Sequence, residues 1–252
     1  MSQGFPTAHN DSVKNLGSSQ APNPSNGRLL VFGDVHGCLA ALDALLDVVR
    51  PQREDVVVFL GDYIDRGPDS RGVVDRLLEL SRQTRLVPLL GNHEEMLLQV
   101  CAGEMSVPLW LAWGGSETVQ SYGLAIEQVQ PDALKSAIPP RHFEFFAHCR
   151  DLFETQEHFF VHANYEADRP LKEQSPEYLR WINLRQHIPG PHHSGKVAIV
   201  GHTSQKDGEV LDLGYLKCID TYCYGGQWLT VLDVGSGDIV QADKEGRLRV
   251  LA

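Results

Sequence analysis

Nine polar residues of the kinds that handle metals and phosphates stand directly behind short apolar runs. Asp34 and His36 follow the run at 28–32, RLLVF. Asp62, Asp65 and Arg66 follow 56–60, VVVFL; Asn92 and His93 follow 86–90, LVPLL. His162 and His202 close the runs at 159–161 and 196–200. A lone histidine at the end of a strand usually has a plain structural role. Recurrence at five successive strand ends does not read that way. The set is carboxylate, imidazole and one amide, with no thiolate, which suits manganese, iron or zinc better than a soft metal or a calcium cage. Asp62 and Asp65 crowd a small loop and need positive charge between them. Arg66 is one source and a cation the stronger one. An aspartate can bridge two ions, and two ions about 3.5–4 Å apart can clamp a phosphate and lower the pKa of water.

Strands must place these residues. The 56–60 run is β-branched and aromatic throughout, as in a strand covered on both faces. Ligands bind beyond the carboxyl ends of such strands. Between the runs the pattern turns helical. Leu39, Leu42, Leu45, Leu46 and Val49 define one apolar face, and Val73, Val74, Leu77, Leu78 and Leu80 a second. Met96, Leu97 and Val100 mark a third helix. Three strand–helix units in a row predict parallel strands with right-handed crossovers. Residues 105–150 predict a helical insertion, with Trp110, Trp113 and Tyr122 and a face bearing Phe143, Phe146 and Ala147. A helix is expected over 177–186. Four strands near 218–220, 228–233, 239–242 and 248–251 are expected to form a terminal meander. The pattern predicts an α/β fold with two packed sheets and helices outside, one domain over 28–252.

Composition narrows the function. The 252-residue chain carries a formal net charge of −11, which argues against a nucleic-acid backbone as partner. No apolar run is long enough to cross a bilayer. Residues 1–27, rich in Ser, Asn, Gly and Pro, predict a disordered tail and lack the apolar core of a signal peptide. The five cysteines form no C-x-x-C pair, so free thiols in a reducing cytoplasm are expected.

Five short motifs then reach a known pattern. GDVHG at 33–37, GDYIDRG at 61–67, GNHE at 91–94, VHA at 161–163 and GHT at 201–203 resemble the phosphoprotein phosphatase family of metallophosphoesterases. The resemblance is to bacterial serine/threonine protein phosphatases and, more distantly, to symmetrical diadenosine tetraphosphate hydrolases. It implies a two-sheet β-sandwich flanked by helices, with a dinuclear site at the strand ends. It implies two divalent ions per chain, with manganese the first choice. Asp34 and His36 would hold the first metal, Asp62 would bridge, and Asn92, His162 and His202 would hold the second. His93 would protonate the leaving alkoxide, with Asp65 orienting it, and Arg66 would fork two phosphate oxygens. The nucleophile would be a metal-bridging hydroxide. The implied substrate is a phosphorylated protein or a small phosphate ester; the alternative is a dinucleoside polyphosphate.

One departure stands out. Many bacterial relatives carry Trp-x-Arg between the VHA and GHT motifs, but here the segment reads LRWINLR, with Asn183 in the arginine position. Arg180 and Arg185 are the candidate replacements. Tyr222-Cys223 resembles the Tyr-Cys of a loop that overhangs the site in eukaryotic relatives, which makes Tyr222 a candidate substrate contact. The intact ligand set argues against a catalytically dead phosphate-binding protein.

Overall fold

The computed structural model describes residues 27–251. The tail expected over 1–27 lies outside the described residues except for Gly27. The first half alternates strand and helix: β1 (Leu29–Phe32), α1 (Leu39–Val49), β2 (Val56–Phe59), α2 (Ser70–Leu80), β3 (Arg85–Pro88) and α3 (Asn92–Ala102). Short helices follow: α4 (Val107–Trp110), α5 (Ser116–Ser121), α6 (Pro131–Ala137) and α7 (Pro140–Ala147). Then come β4 (Leu152–Glu154), β5 (His158–Val161), α8 (Pro176–Arg180), β6 (Val197–Val200), β7 (Leu211–Asp212) and β8 (Leu216–Cys218). The chain closes with β9 (Trp228–Asp233), β10 (Ile239–Asp243) and β11 (Leu248–Leu251).

Two sheets pack face to face. The first runs β11-β10-β9-β1-β2-β3 and the second β4-β5-β6-β8-β7. β1, β2 and β3 pair in parallel, as the repeated strand–helix units predict, and β5, β6 and β8 form a second parallel set. Alternation along each strand divides the core. Leu29, Val31, Val56, Val58 and Leu60 meet Phe153, Phe160, Ile199 and Ile219 between the sheets. Leu30, Phe32, Val57 and Phe59 face the other way, against Leu42, Leu45 and Leu46 of α1 and Val73, Val74 and Leu77 of α2. A one-residue slip would exchange the two faces, so burial on both sides fixes the register.

Three expectations change in detail. The strand near Cys218 does not join the meander: β8 pairs in parallel with β6 in the second sheet, leaving β9, β10 and β11 as the meander. The helix expected over 177–186 stops at Arg180, because Trp181 leaves helical geometry and Leu184 N–H donates to Thr203 Oγ1 at 2.8 Å. The buried face of α7 carries His142, Phe145 and Phe146, whereas Ala147 is exposed. His142 ties that helix down. Its Nδ1 accepts from the Tyr122 hydroxyl at 2.7 Å, and its Nε2 bonds Asp75 Oδ1 at 2.9 Å.

Candidate active site

The two parallel sets aim their carboxyl ends at one place. β1 delivers Asp34 and His36, β2 delivers Asp62, Asp65 and Arg66, and the first turn of α3, just after β3, delivers Asn92 and His93. β5 and β6 add His162 and His202 from the opposite sheet. Asp62 lies between two groups. Its Oδ2 is 3.4 Å from His36 Nε2 and 4.0 Å from His93 Nε2, and its Oδ1 is 3.4 Å from His162 Nε2. His162 Nε2 and His202 Nδ1 stand 3.1 Å apart, and Asn92 Oδ1 is 3.0 Å from the first and 2.9 Å from the second.

The far side of each ring shows why they point inward. His36 Nδ1 bonds the carbonyl of Ile64 at 2.9 Å, His162 Nδ1 that of Leu60 at 2.8 Å, and His202 Nε2 that of Trp181 at 3.0 Å. A carbonyl only accepts, so each proton sits on the outer nitrogen and each inner nitrogen presents a lone pair. Burial also lowers all three imidazoles, His202 to about 3, so they are neutral at physiological pH. Lone pairs, an amide oxygen and a carboxylate facing one another repel unless a cation sits among them. This arrangement, with the outer nitrogen held by a carbonyl, is the one metal-ligating histidines adopt.

The carboxylates tell the same story. Asp34 receives the His202 backbone N–H on Oδ2 at 2.9 Å, but among the described residues its buried Oδ1 has no partner. Asp220, at the end of β8, also buries an unpartnered oxygen. Desolvation, then the charges of Asp220 and Asp62, push the Asp34 carboxyl well above its usual range. Divalent cations fit this donor set, because they would relieve both the orphaned oxygens and the mutual repulsion.

His93 is arranged differently. Its Nδ1 meets Asp65 Oδ2 at 2.8 Å, while its Nε2 is buried, without a hydrogen-bond partner among the described residues, and turned toward Asp62. Asp65 is itself saturated, with Trp110 Nε1–H donating to Oδ2 at 2.9 Å and Thr118 Oγ1 to Oδ1 at 2.6 Å. The ring is thus locked by a carboxylate that is in turn locked by the helical segment over 107–121. Trp110 lies 45 residues from Asp65, beyond the reach of spacing arguments.

The loops that carry these groups are strained. His36, Asp62, Asp65, Arg66 and His202 all have left-handed backbones, with φ of 44, 51, 71, 69 and 62°. Each such residue costs on the order of 1–2 kcal/mol and persists only where its surroundings over-determine it. Glu94 supplies much of that. Its fully buried carboxylate accepts the backbone N–H groups of Asp62 at 2.9 Å, Tyr63 at 2.8 Å, Ile64 at 3.2 Å and Gly91 at 3.1 Å. Gly91 must be glycine, since a Cβ there would lie 2.2 Å from Asp62 Oδ1. Glu94→Gln turns an amide donor toward two of those N–H groups. The expected cost is about 3 kcal/mol, from buried donors left without acceptors. Chemical denaturation measures it, and unchanged stability would remove Glu94 from this role.

The remaining candidates separate. Arg180 is consumed by Glu95, at 3.0 and 2.9 Å from Nε and Nη2, and by Asp151. Trp181 Nε1–H donates to the same Glu95 at 2.6 Å. Arg180 therefore braces the residue whose carbonyl holds His202. Arg185 is exposed and donates to the carbonyl of Ser204. Tyr222 packs its ring on Tyr224, with centroids 4.9 Å apart. Tyr224 is the member of this loop that reaches the site: Arg66 lies over its ring at 4.6 Å and the His36 ring meets it edge-on at 4.8 Å. Of the aromatics in the helical segment, Trp110 and Tyr122 are buried, and Trp113 is 52% exposed.

A sequence model for calcineurin-like phosphoesterases matches residues 27–227. The chain belongs to the calcineurin-like phosphoesterase family. It is 33% identical over 207 residues to serine/threonine-protein phosphatase 1 of Salmonella typhimurium, covering 78% of this chain and 88% of that protein. A symmetrical bis(5'-nucleosyl)-tetraphosphatase of Burkholderia pseudomallei is 37% identical over 81 residues, 32% of this chain and 28% of that protein. Among solved structures, a cold-active protein-tyrosine phosphatase from Shewanella superposes with a TM-score of 0.63 at 16% identity, covering 90% of this chain and 80% of that one. As a calcineurin-like phosphoesterase the protein is a hydrolase of phosphate esters, and the fold of two sheets flanked by helices is that of its structural neighbours. Among the described residues no helix is long and apolar enough to cross a membrane.

Proposed function

We propose that this phosphoesterase is a protein serine/threonine phosphatase with a dinuclear divalent-metal site. The observation that carries the reading is the His93–Asp65 pair, with Nδ1 held at 2.8 Å and Nε2 turned free into the site. A serine or threonine alkoxide is a poor leaving group and needs a proton as the bond breaks. The Salmonella serine/threonine phosphatase, alike over 78% of this chain, supports the same reading.

Asp34, His36 and Asp62 would hold one ion, and Asp62, Asn92, His162 and His202 the other. Bound there, divalent cations neutralise phosphoryl charge and lower the pKa of water toward neutrality. The mixed oxygen and nitrogen donors suit manganese, iron or zinc. The chain's own groups do the rest. Arg66 presents its guanidinium fork to the phosphoryl oxygens, a geometry suited to two parallel hydrogen bonds. His93, protonated on both nitrogens, gives its Nε2 proton to the leaving oxygen. Asp65, fixed by Trp110 and Thr118, keeps that ring in line. No cysteine is required as nucleophile: burial pushes the thiols of Cys101, to about 11, and of Cys149 and Cys218 upward, the reverse of activation. The five cysteines are unpaired, which suits a reducing cytoplasm.

A second reading rests on Trp113. It is half-exposed and directly precedes Gly114, whose carbonyl accepts the Arg66 backbone N–H at 2.9 Å. Such an indole could stack a nucleobase, and the second substrate class is a dinucleoside polyphosphate. The two separate by kcat/KM on manganese-loaded enzyme for a phosphothreonine peptide and for diadenosine tetraphosphate. The expected result is a higher value for the peptide. A higher value for the dinucleotide, with ADP released, would transfer the assignment to nucleotide hydrolysis. Turnover of neither, with metal bound, would favour a phosphate-binding role.

A further inference from the structure

We propose that Tyr224 is a positioning residue that stations Arg66 over the site. Among the described residues, the Arg66 side chain makes one hydrogen bond, from Nη1 to His36 Nε2 at 3.0 Å. That acceptor is the nitrogen whose outer partner is already bonded to Ile64, so it has a single lone pair. One lone pair cannot serve both a guanidinium and a cation. Once His36 ligates a metal, Arg66 loses this hydrogen bond. The aromatic face beneath the guanidinium, whose carbon lies 4.6 Å from the ring centroid, does not depend on that lone pair and remains.

A ring is well suited to that task. Its π face attracts a guanidinium without taking any N–H group in a conventional hydrogen bond. The arginine is held in place while its whole fork stays available to a phosphoryl group. Tyr224 is itself fixed on both sides. The Tyr222 ring packs against it, and the His36 ring meets it at an interplanar angle of 80°. Its segment is a short 3-10 turn, Cys223–Gly225, anchored by the buried Cys223. Tyr222 N–H donates to Asp220 Oδ1 at 3.1 Å, tying the turn to the end of β8. The aromatic contact would also keep the cation from collapsing onto the surrounding aspartates.

The inference rests on Arg66 being the phosphate ligand, and the experiment separates the two claims. Tyr224→Leu, Tyr224→Phe, Arg66→Ala and the Tyr224→Leu/Arg66→Ala double variant are compared as manganese-loaded protein. Three quantities are read: KM for a phosphothreonine peptide, the competitive inhibition constant of orthophosphate, and metal content by elemental analysis. Tyr224→Leu is expected to raise KM and the phosphate constant about ten-fold, within the range of a cation–π contact, with metal content unchanged. Tyr224→Phe keeps the face and is expected to stay near wild type. In the Arg66→Ala background Tyr224→Leu is expected to add nothing. If Tyr224→Leu fails to fold, Tyr224→Phe and Tyr224→Trp carry the test, since both keep a face and both must retain phosphate affinity. Equal damage from Phe and Leu, weakened phosphate affinity in Phe and Trp, or additivity with Arg66→Ala would overturn the positioning role alone. Unchanged phosphate inhibition in Arg66→Ala would overturn the phosphate-ligand reading, and this inference with it.

Discussion

Asp62→Asn is expected to abolish turnover and to lower bound metal below two ions per chain. The carboxylate has one oxygen toward His36 and His93 and the other toward His162, so among the described residues it is the group shared by both clusters. An asparagine keeps the shape but removes the charge and presents a donor to one side. Its NH₂ would take the His36 Nε2 lone pair on one side or meet the His93 backbone N–H on the other, where Asp62 Oδ1 now accepts at 3.1 Å. The fold should survive, because the main-chain contacts of this loop run through Glu94. Elemental analysis and a phosphothreonine peptide assay report the two effects together. Full metal occupancy with ordinary turnover would contradict the bridging assignment.

His93→Asn is expected to keep its metal and lose about 10²–10⁴-fold in kcat on phosphothreonine peptide, the usual worth of a positioned acid. The imidazole contributes Nε2, which has no hydrogen-bond partner among the described residues, so removing it leaves no broken network there. The cost falls on bond cleavage, and it should shrink for aryl phosphates, whose leaving groups depart with little help. Parallel kcat measurements on peptide and aryl phosphate test this directly. An equal loss on both would take His93 out of the acid role. Asp65 loses its ring partner in this variant but keeps Trp110 and Thr118.

The residues gathered at the site were legible in the sequence because each follows an apolar run, and a strand's end is a fixed place in a parallel sheet. Asp34, His36, Asp62, Asn92, His162 and His202 converge for that reason. The groups that hold them were not legible. Glu94 sits inside a motif, yet three of the four N–H groups it accepts lie 30 residues or more back, in the turn after β2. Trp110 has the composition of a core aromatic and is one, but its indole N–H also anchors Asp65. Arg180 reads as a free cation until Glu95, 85 residues away, is placed against it. The same limit applies to β8. Alternation announces a strand but not which of two sheets it joins, and the parallel pairing with β6 decides that. Tyr222 and Tyr224 differ by two positions, and only the left-handed turn at Tyr222 sends the second ring to Arg66.

The most direct test of the account is the number of divalent ions bound per chain. Wild-type protein is equilibrated with manganese, freed of unbound metal and measured by elemental analysis. The facing lone pairs of His36, His162 and His202 around Asp62 predict two ions per chain. One ion or none, in folded protein, would contradict the dinuclear site on which the proposed chemistry rests.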